Sequence, residues 1–192
     1  MNLQHVNVKL LARDPEKVDL EPLIPIFHSW IANKVFEELL LDVADYRHVP
    51  AGPGVVLIGL QADYSVDNTG DRLGVRYNRK AALDGDNQEC LRQAARAALT
   101  AFQLLENEPH LEGKLKFDGR EIEVFVNDRL VAPNREATRE AFRVDFQKFF
   151  EQLLGGGEFS LAYDTDPRRL FGLTLKTSRP FTVAELLQNL AV

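Results

Sequence analysis

Apolar residues recur at every second position near the start of the chain, where Val6, Val8, Leu10 and Ala12 share one side of an extended segment spanning residues 3–12. Such alternation predicts a half-buried strand, which Asp14-Pro15 ends. The period then changes. Ile26, Phe27, Trp30 and Ile31 form a stripe at helical spacing, so residues 21–33 are expected as a helix. Pro22 suits a first turn, whereas Pro25 removes a backbone donor and predicts a late start or a bend. Residues 38–66 read as two long strands around the turn Pro50-Ala51-Gly52-Pro53-Gly54. In the second of these, residues 55–66, Val56, Ile58, Leu60, Ala62, Tyr64 and Val66 fall on one face, which predicts an interior strand. Asp67-Asn68-Thr69-Gly70 turns the chain into a third strand carrying Leu73, Val75 and Tyr77.

The loop Asp84-Gly85-Asp86-Asn87 can cap the helix that follows over residues 88–106, whose Leu91, Ala95, Ala98, Leu99, Phe102 and Leu105 recur at helical spacing until Pro109. Leu115 and Phe117 lead into Asp118-Gly119, and Ile122, Val124 and Val126 lead out, the pattern of a tight hairpin. Asn134 or Thr138 opens a third helix with Phe142, Phe146, Phe149, Phe150 and Leu153 facing inward. Gly155-Gly156-Gly157 ends it, because glycine enters the left-handed cap conformation without strain. Strands over residues 159–163 and 170–176 follow, joined through Asp164-Thr165-Asp166-Pro167. Thr182 and Glu185 are spaced as a capping box, with Phe181 and Leu186 as its staple, so a short terminal helix is expected.

The expected order is β-α-β-β-β-α-β-β-α-β-β-α. Tight turns force antiparallel pairing, so the fold class is α+β: a mostly antiparallel sheet with helices packed mainly on one face. No long linker or internal repeat divides residues 1–192, which are expected as a single domain, with a subdomain junction near 84–87 as the alternative.

A formal charge of −6 repels phosphate backbones and anionic bilayers, so no nucleic-acid or membrane partner is expected. Arg76, Arg79 and Lys80 read as one solvated face of a strand. Cys90 is the only cysteine; it precludes an intramolecular disulfide and reads as packing in a helix. The start MNLQHVNVKL has neither the basic nor the apolar region of a signal peptide, and no apolar run reaches the ~18 residues of a membrane span. A cytoplasmic location is expected.

The densest polar segment is residues 42–48, where Asp42, Asp45, Tyr46, Arg47 and His48 crowd at a strand end. His48 could serve as a general base oriented by a carboxylate, Asp45 or Asp42, with Arg47 binding an anion. The competing structural account pairs these groups across the hairpin with Gln61 and Asp63. Asn127, Asp128 and Arg129 end another strand shortly before a helix, a position that often lines ligand sites but that equally suits turns and caps. His5, His28, His48 and His110 show no metal-ligand spacing, and no phosphate loop, dinucleotide fingerprint or nucleophile elbow occurs, so neither metal nor cofactor is expected.

The leading expectation is a noncatalytic, cytoplasmic ligand-binding or protein-interaction module, with a small anionic ligand or a protein partner, and a homodimer as its assembly. The rival is a small hydrolase or lyase using His48 with Asp45 or Asp42. That rival requires residues 42–48 and 127–134 to converge on one cleft.

Overall fold

The computed structural model describes residues 2–191. Eight strands and four helices follow one another: β1 (Val6–Ala12), α1 (Leu23–Asn33), β2 (Leu40–Tyr46), β3 (Gly54–Gly59), β4 (Ala62–Asp67), β5 (Gly74–Arg79), α2 (Asn87–Glu106), β6 (Phe117–Val126), α3 (Glu136–Leu153), β7 (Phe159–Tyr163), β8 (Phe171–Thr177) and α4 (Val183–Asn189). All the strands join one antiparallel sheet in the order β2-β3-β4-β5-β1-β6-β8-β7. The α+β class stands, with helices packed against the sheet.

Local chemistry explains most element ends. Asp86 accepts the Glu89 backbone N–H while the Glu89 side chain accepts that of Asp86, a capping box that secures the start of α2. Thr182 and Glu185 do the same for α4. Helix α1 begins at Leu23, which places Pro25 in the first turn, where its missing donor has no carbonyl to serve. Helix α3 opens two residues beyond Asn134, at Glu136 with Arg135 as its N-cap; the Asn134 amide is engaged elsewhere, donating to the Asp166 carbonyl at 2.8 Å.

Two strand expectations are corrected, and the element order with them, to β-α-β-β-β-β-α-β-α-β-β-α. Residues 55–66 form a hairpin, β3 and β4, turned at Leu60-Gln61, and not one strand. Leu57 pairs with Tyr64 and Val55 with Val66, so residues of opposite parity share a face across the turn. Val56 and Ile58, paired with Ser65 and Asp63, therefore lie on the other face of the sheet from Tyr64 and Val66. Conversely, Asp118-Gly119 makes no hairpin and lies inside the continuous strand β6. Opposite it the β1 register jumps: Ile122 faces Leu10 while Phe117 faces Ala12. Gly119 absorbs this bulge at φ 78°, with its carbonyl accepting the Phe181 N–H at 2.8 Å. A Cβ there would stand 2.3 Å from the Phe181 carbonyl oxygen.

One face of the sheet, carrying Val8, Leu10, Leu57, Tyr64, Val75, Tyr77 and Val124, joins the helices in one apolar cluster. Buried Ala94, Ala98 and Ala101 let α2 lie close over β1 and β5. The phenylalanines of α3 reach Phe171 on β8, and the rings of α1 reach Tyr64 through Trp30 and Phe36. Strand β1 is buried along its whole length, on both faces. Among the described residues, no helix is long and apolar enough to cross a membrane.

Candidate functional site

The face of the sheet turned away from the helices is polar at its centre. Strand pairing lines up Ser65, Arg76, Lys9, Glu123 and Thr174 in one row across β4, β5, β1, β6 and β8. The neighbouring row holds Asp63, Asn78, Asn7, Phe125 and Gly172. Polar side chains in the middle of a sheet must be solvated, paired or used.

Lys9 is 1% exposed. Its ammonium donates to Asp67 Oδ1 at 2.6 Å and to the Thr69 carbonyl at 3.2 Å. Burial lowers the Lys9 pKa, against the opposing pull of the Asp67 carboxylate. Asp67 is itself well held: it accepts the Thr69 N–H and hydroxyl, each at 3.0 Å, and the Arg76 guanidinium stands 3.6 Å away. Glu123 takes the Arg72 guanidinium at 2.6 Å, and Arg72 also binds Glu121.

No helix covers Lys9, so its burial needs another cause. The Arg76 guanidinium lies 5.4 Å from the centre of the Phe125 ring. Arg76 is on β5 and Phe125 on β6, with β1 between them, so the Arg76 side chain crosses above β1 and roofs it. The ring supplies the cation with a favourable quadrupole. Beneath this roof both amide atoms of Asn7 have no hydrogen-bond partner in the protein; Arg76 Nε and Asn78 Oδ1 also lack one.

Over this face opens a cleft of about 720 Å³, walled by the loop after β4 and the loop between β7 and β8. Its lining holds seven cations, Lys9, Arg72, Arg76, Arg129, Arg168, Arg169 and Lys176, against the carboxylates Asp67, Glu123 and Asp164. The whole chain carries −6, so the cleft runs against the charge of the molecule. Most of these cations have a carboxylate partner: Arg168 grips Asp166 at 2.8 and 3.0 Å, Arg169 meets Asp164 at 3.3 Å and Lys176 meets Glu121 at 3.1 Å. Arg129 differs. Among the described residues it forms no ion pair, and its guanidinium donates to the backbone carbonyl of Arg168.

Of the residues singled out by sequence, Arg129 lines this cleft. Asp128 beside it is a turn residue, accepting the N–H groups of Leu130 and Val131 at 3.0 Å. The Asn127 N–H extends the strand ladder to the His5 carbonyl at 3.0 Å. Residues 42–48 lie elsewhere. Asp42 is exposed and accepts the Val43 N–H at 2.8 Å. Asp45 is held by Arg47, at 2.9 and 2.8 Å from the guanidinium, which keeps its carboxyl low, at about 2. His48 is exposed in the loop after β2, with its ring 6.5 Å from that of Tyr46.

The structure does not bring His48 and Arg129 together. Strand β2 is the edge of the sheet, β6 is five places along, and the two run antiparallel, so their C-terminal ends lie at opposite ends of the sheet. Five strand spacings alone amount to roughly 24 Å.

Lys9, Asp67, Arg72, Arg76, Glu123 and Phe125 escaped sequence reasoning. Arg76, Arg79 and Lys80 are not one solvated face: Arg76 roofs β1 on the helix-free side, while Arg79 lines a different cavity. The available signal was the company of Asn7 and Lys9 in a strand whose other face is wholly apolar. Among the described residues, no group of three His, Cys, Asp or Glu is placed to hold a metal ion. Comparison of the chain with family models, curated proteins and solved structures finds no match.

Proposed function

We propose that this protein is a noncatalytic binding module that takes a small anionic ligand, through its carboxylate or phosphate groups, in the cleft on the helix-free face of the sheet. One observation carries this reading: cations outnumber carboxylates around a sizeable concavity of an otherwise acidic molecule. Arg129, without an acidic partner, is the first contact, and a planar guanidinium suits bidentate recognition of such groups. The paired Lys9, Arg72 and Arg76 provide a fixed positive floor. Binding is favoured over catalysis because each lining carboxylate is already engaged, Asp67 by Lys9, Glu123 by Arg72 and Asp164 by Arg169, which leaves no free base. The hydrolase or lyase reading asks residues 42–48 and 127–134 to share one cleft, and their placement at opposite ends of the sheet counts against it.

The test is a calorimetric titration with citrate and with inorganic phosphate on wild type, Arg129→Ala and Arg72→Ala. Saturable binding that weakens about tenfold in each variant, the effect of one charge-assisted hydrogen bond, supports the site. Binding that is unchanged in both variants sinks it.

A second reading, self-association as a homodimer, has its own observation. Edge strand β2 leaves a row of backbone groups unpaired, and Leu39, Leu41 and Leu60 beside it are 59%, 50% and 60% exposed. Sedimentation of wild type and Leu41→Lys tests it: a wild-type monomer at high concentration ends this reading. A cytoplasmic setting accompanies both readings, supported by the lone buried thiol of Cys90.

A further inference from the structure

A cavity of about 650 Å³ lies where the segment between α1 and β2 meets β4, β5 and the N-terminal half of α2. It is separate from the basic cleft, and shares no lining residue with it. Strand parity sends Arg79 to this cavity, whereas Arg76 goes to the other. Arg92 and Arg96 stand one helical turn apart on α2 and line the same space. All three guanidiniums are steadied by neutral oxygens: Arg79 by the Ala81 carbonyl at 2.8 Å, Arg92 by Gln152 Oε1 at 3.3 Å, and Arg96 by the Leu190 carbonyl at 2.7 Å. Among the described residues, none of the three forms an ion pair with a carboxylate. The lining also holds the carboxylates Glu37, Glu38 and Glu89, but Glu89 is engaged by the Asp86 N–H and none of the three is bonded to these arginines, whose guanidiniums are oriented by neutral groups.

The opposite wall holds Glu38. The Tyr64 hydroxyl donates to Oε1 of Glu38, while Oε2 is buried without a hydrogen-bond partner. The Phe36 ring stacks on Tyr64 at 4.5 Å and nearly parallel, which restrains the hydroxyl that holds the carboxyl. Next to them Gln93 donates to the Tyr77 hydroxyl at 2.9 Å, so the floor is already ordered. Burial raises the Glu38 carboxyl above its ordinary range, despite the Tyr64 bond, as expected for an acceptor short of donors.

We infer that this cavity is a second binding site, for a small anion that also carries a hydrogen-bond donor: its carboxylate or phosphate meets Arg79, Arg92 and Arg96, and its hydroxyl or amine donates to Glu38. Each half of the site lacks what the other half of such a ligand supplies. The inference does not rest on the basic cleft; either site can fail alone.

The experiment is an NMR titration that follows the arginine side-chain Nε–H and tyrosine ring signals. The probes are L-malate and succinate, which differ by one hydroxyl, and glycerol 3-phosphate. At ~10 mM, where a ligand with Kd of about 1 mM approaches saturation, malate and glycerol 3-phosphate shift the Arg92, Arg96 and Tyr64 signals. Malate binds about tenfold more tightly than succinate, the effect of one hydrogen bond to a charged group. Glu38→Leu removes that advantage, and Arg96→Ala, at an exposed helical position, weakens all the probes. Arg129→Ala changes nothing at this site. The inference is overturned if no probe shifts the Arg92 and Arg96 signals, if only Arg129 responds, or if malate and succinate bind equally.

Discussion

Replacing Asp67 with asparagine keeps the shape of the side chain and its bond from the Thr69 N–H, but leaves the Lys9 ammonium facing an amide under the Arg76 roof. Both charged side chains are 2% exposed, so this is a buried pair, and removing one partner of such a pair costs about 3–5 kcal/mol. Lysine chemistry sets a ceiling on that loss. An unpaired Lys9 escapes by shedding its proton, and neutralising a lysine of ordinary pKa 10.5 costs about 1.4 kcal/mol for each pH unit below that value. The ceiling is therefore about 5 kcal/mol at pH 7 and about 2 kcal/mol at pH 9. Urea unfolding of wild type and Asp67→Asn at both pH values measures the difference, and the other titrating groups, common to both proteins, largely cancel. The expected result is a loss of about 3–5 kcal/mol at pH 7 that shrinks by roughly half or more at pH 9. A loss below about 1 kcal/mol at pH 7, or one independent of pH, would show that water or Glu123 satisfies Lys9 unaided, and the account of the roofed strand would fall. The double replacement Lys9→Met with Asp67→Leu removes both charges and should lie within about 2 kcal/mol of wild type.

Phe149 is 1% exposed and packs edge-on against Phe150 at 5.1 Å, so Phe149→Ala should cost about 3–5 kcal/mol in the same assay; less than about 1 kcal/mol would mean that α3 does not bury this side. Gly119→Ala forces a Cβ towards the Phe181 carbonyl at positive φ and should cost at least about 1–3 kcal/mol; unchanged stability would mean that the bulge in β6 is misplaced. Glu38 has a raised folded pKa, so the folded state holds its proton after the unfolded chain has lost it, and stability is lost as pH rises from about 4.5 through the folded pKa. Glu38→Gln removes that loss, so its stability relative to wild type should improve between pH 4 and pH 7; a pH-independent difference would show that the carboxyl is solvated.

Neighbours along the chain decide everything about this fold that can be read without its three-dimensional contacts. The capping box at Thr182 and Glu185, the caps around Asp86, the phenylalanine stripe of α3 and the alternation of β1 are all contained within a few residues, and their backbone chemistry needs no distant partner. With the tight turns they imply an α+β fold. Turn chemistry failed as a guide where tertiary contacts outweighed it: Leu60-Gln61 turns with no glycine or proline at its two central positions because β3 and β4 pair, while Asp118-Gly119 runs on as a strand because β1, β8 and the Phe181 backbone hold it. The candidate sites depended on tertiary structure still more. Lys9 meets Asp67 across 58 residues of sequence and Arg72 meets Glu123 across 51, and neither pair is recognisable until the strand order sets β1 between β5 and β6. Asn7 and Lys9 looked like the wet side of a strand because alternation specifies that one face is buried, and says nothing about what covers the other. An arginine on the adjacent strand β5, reaching over β1 to a ring on β6, made that decision, and only the register of the sheet places it there.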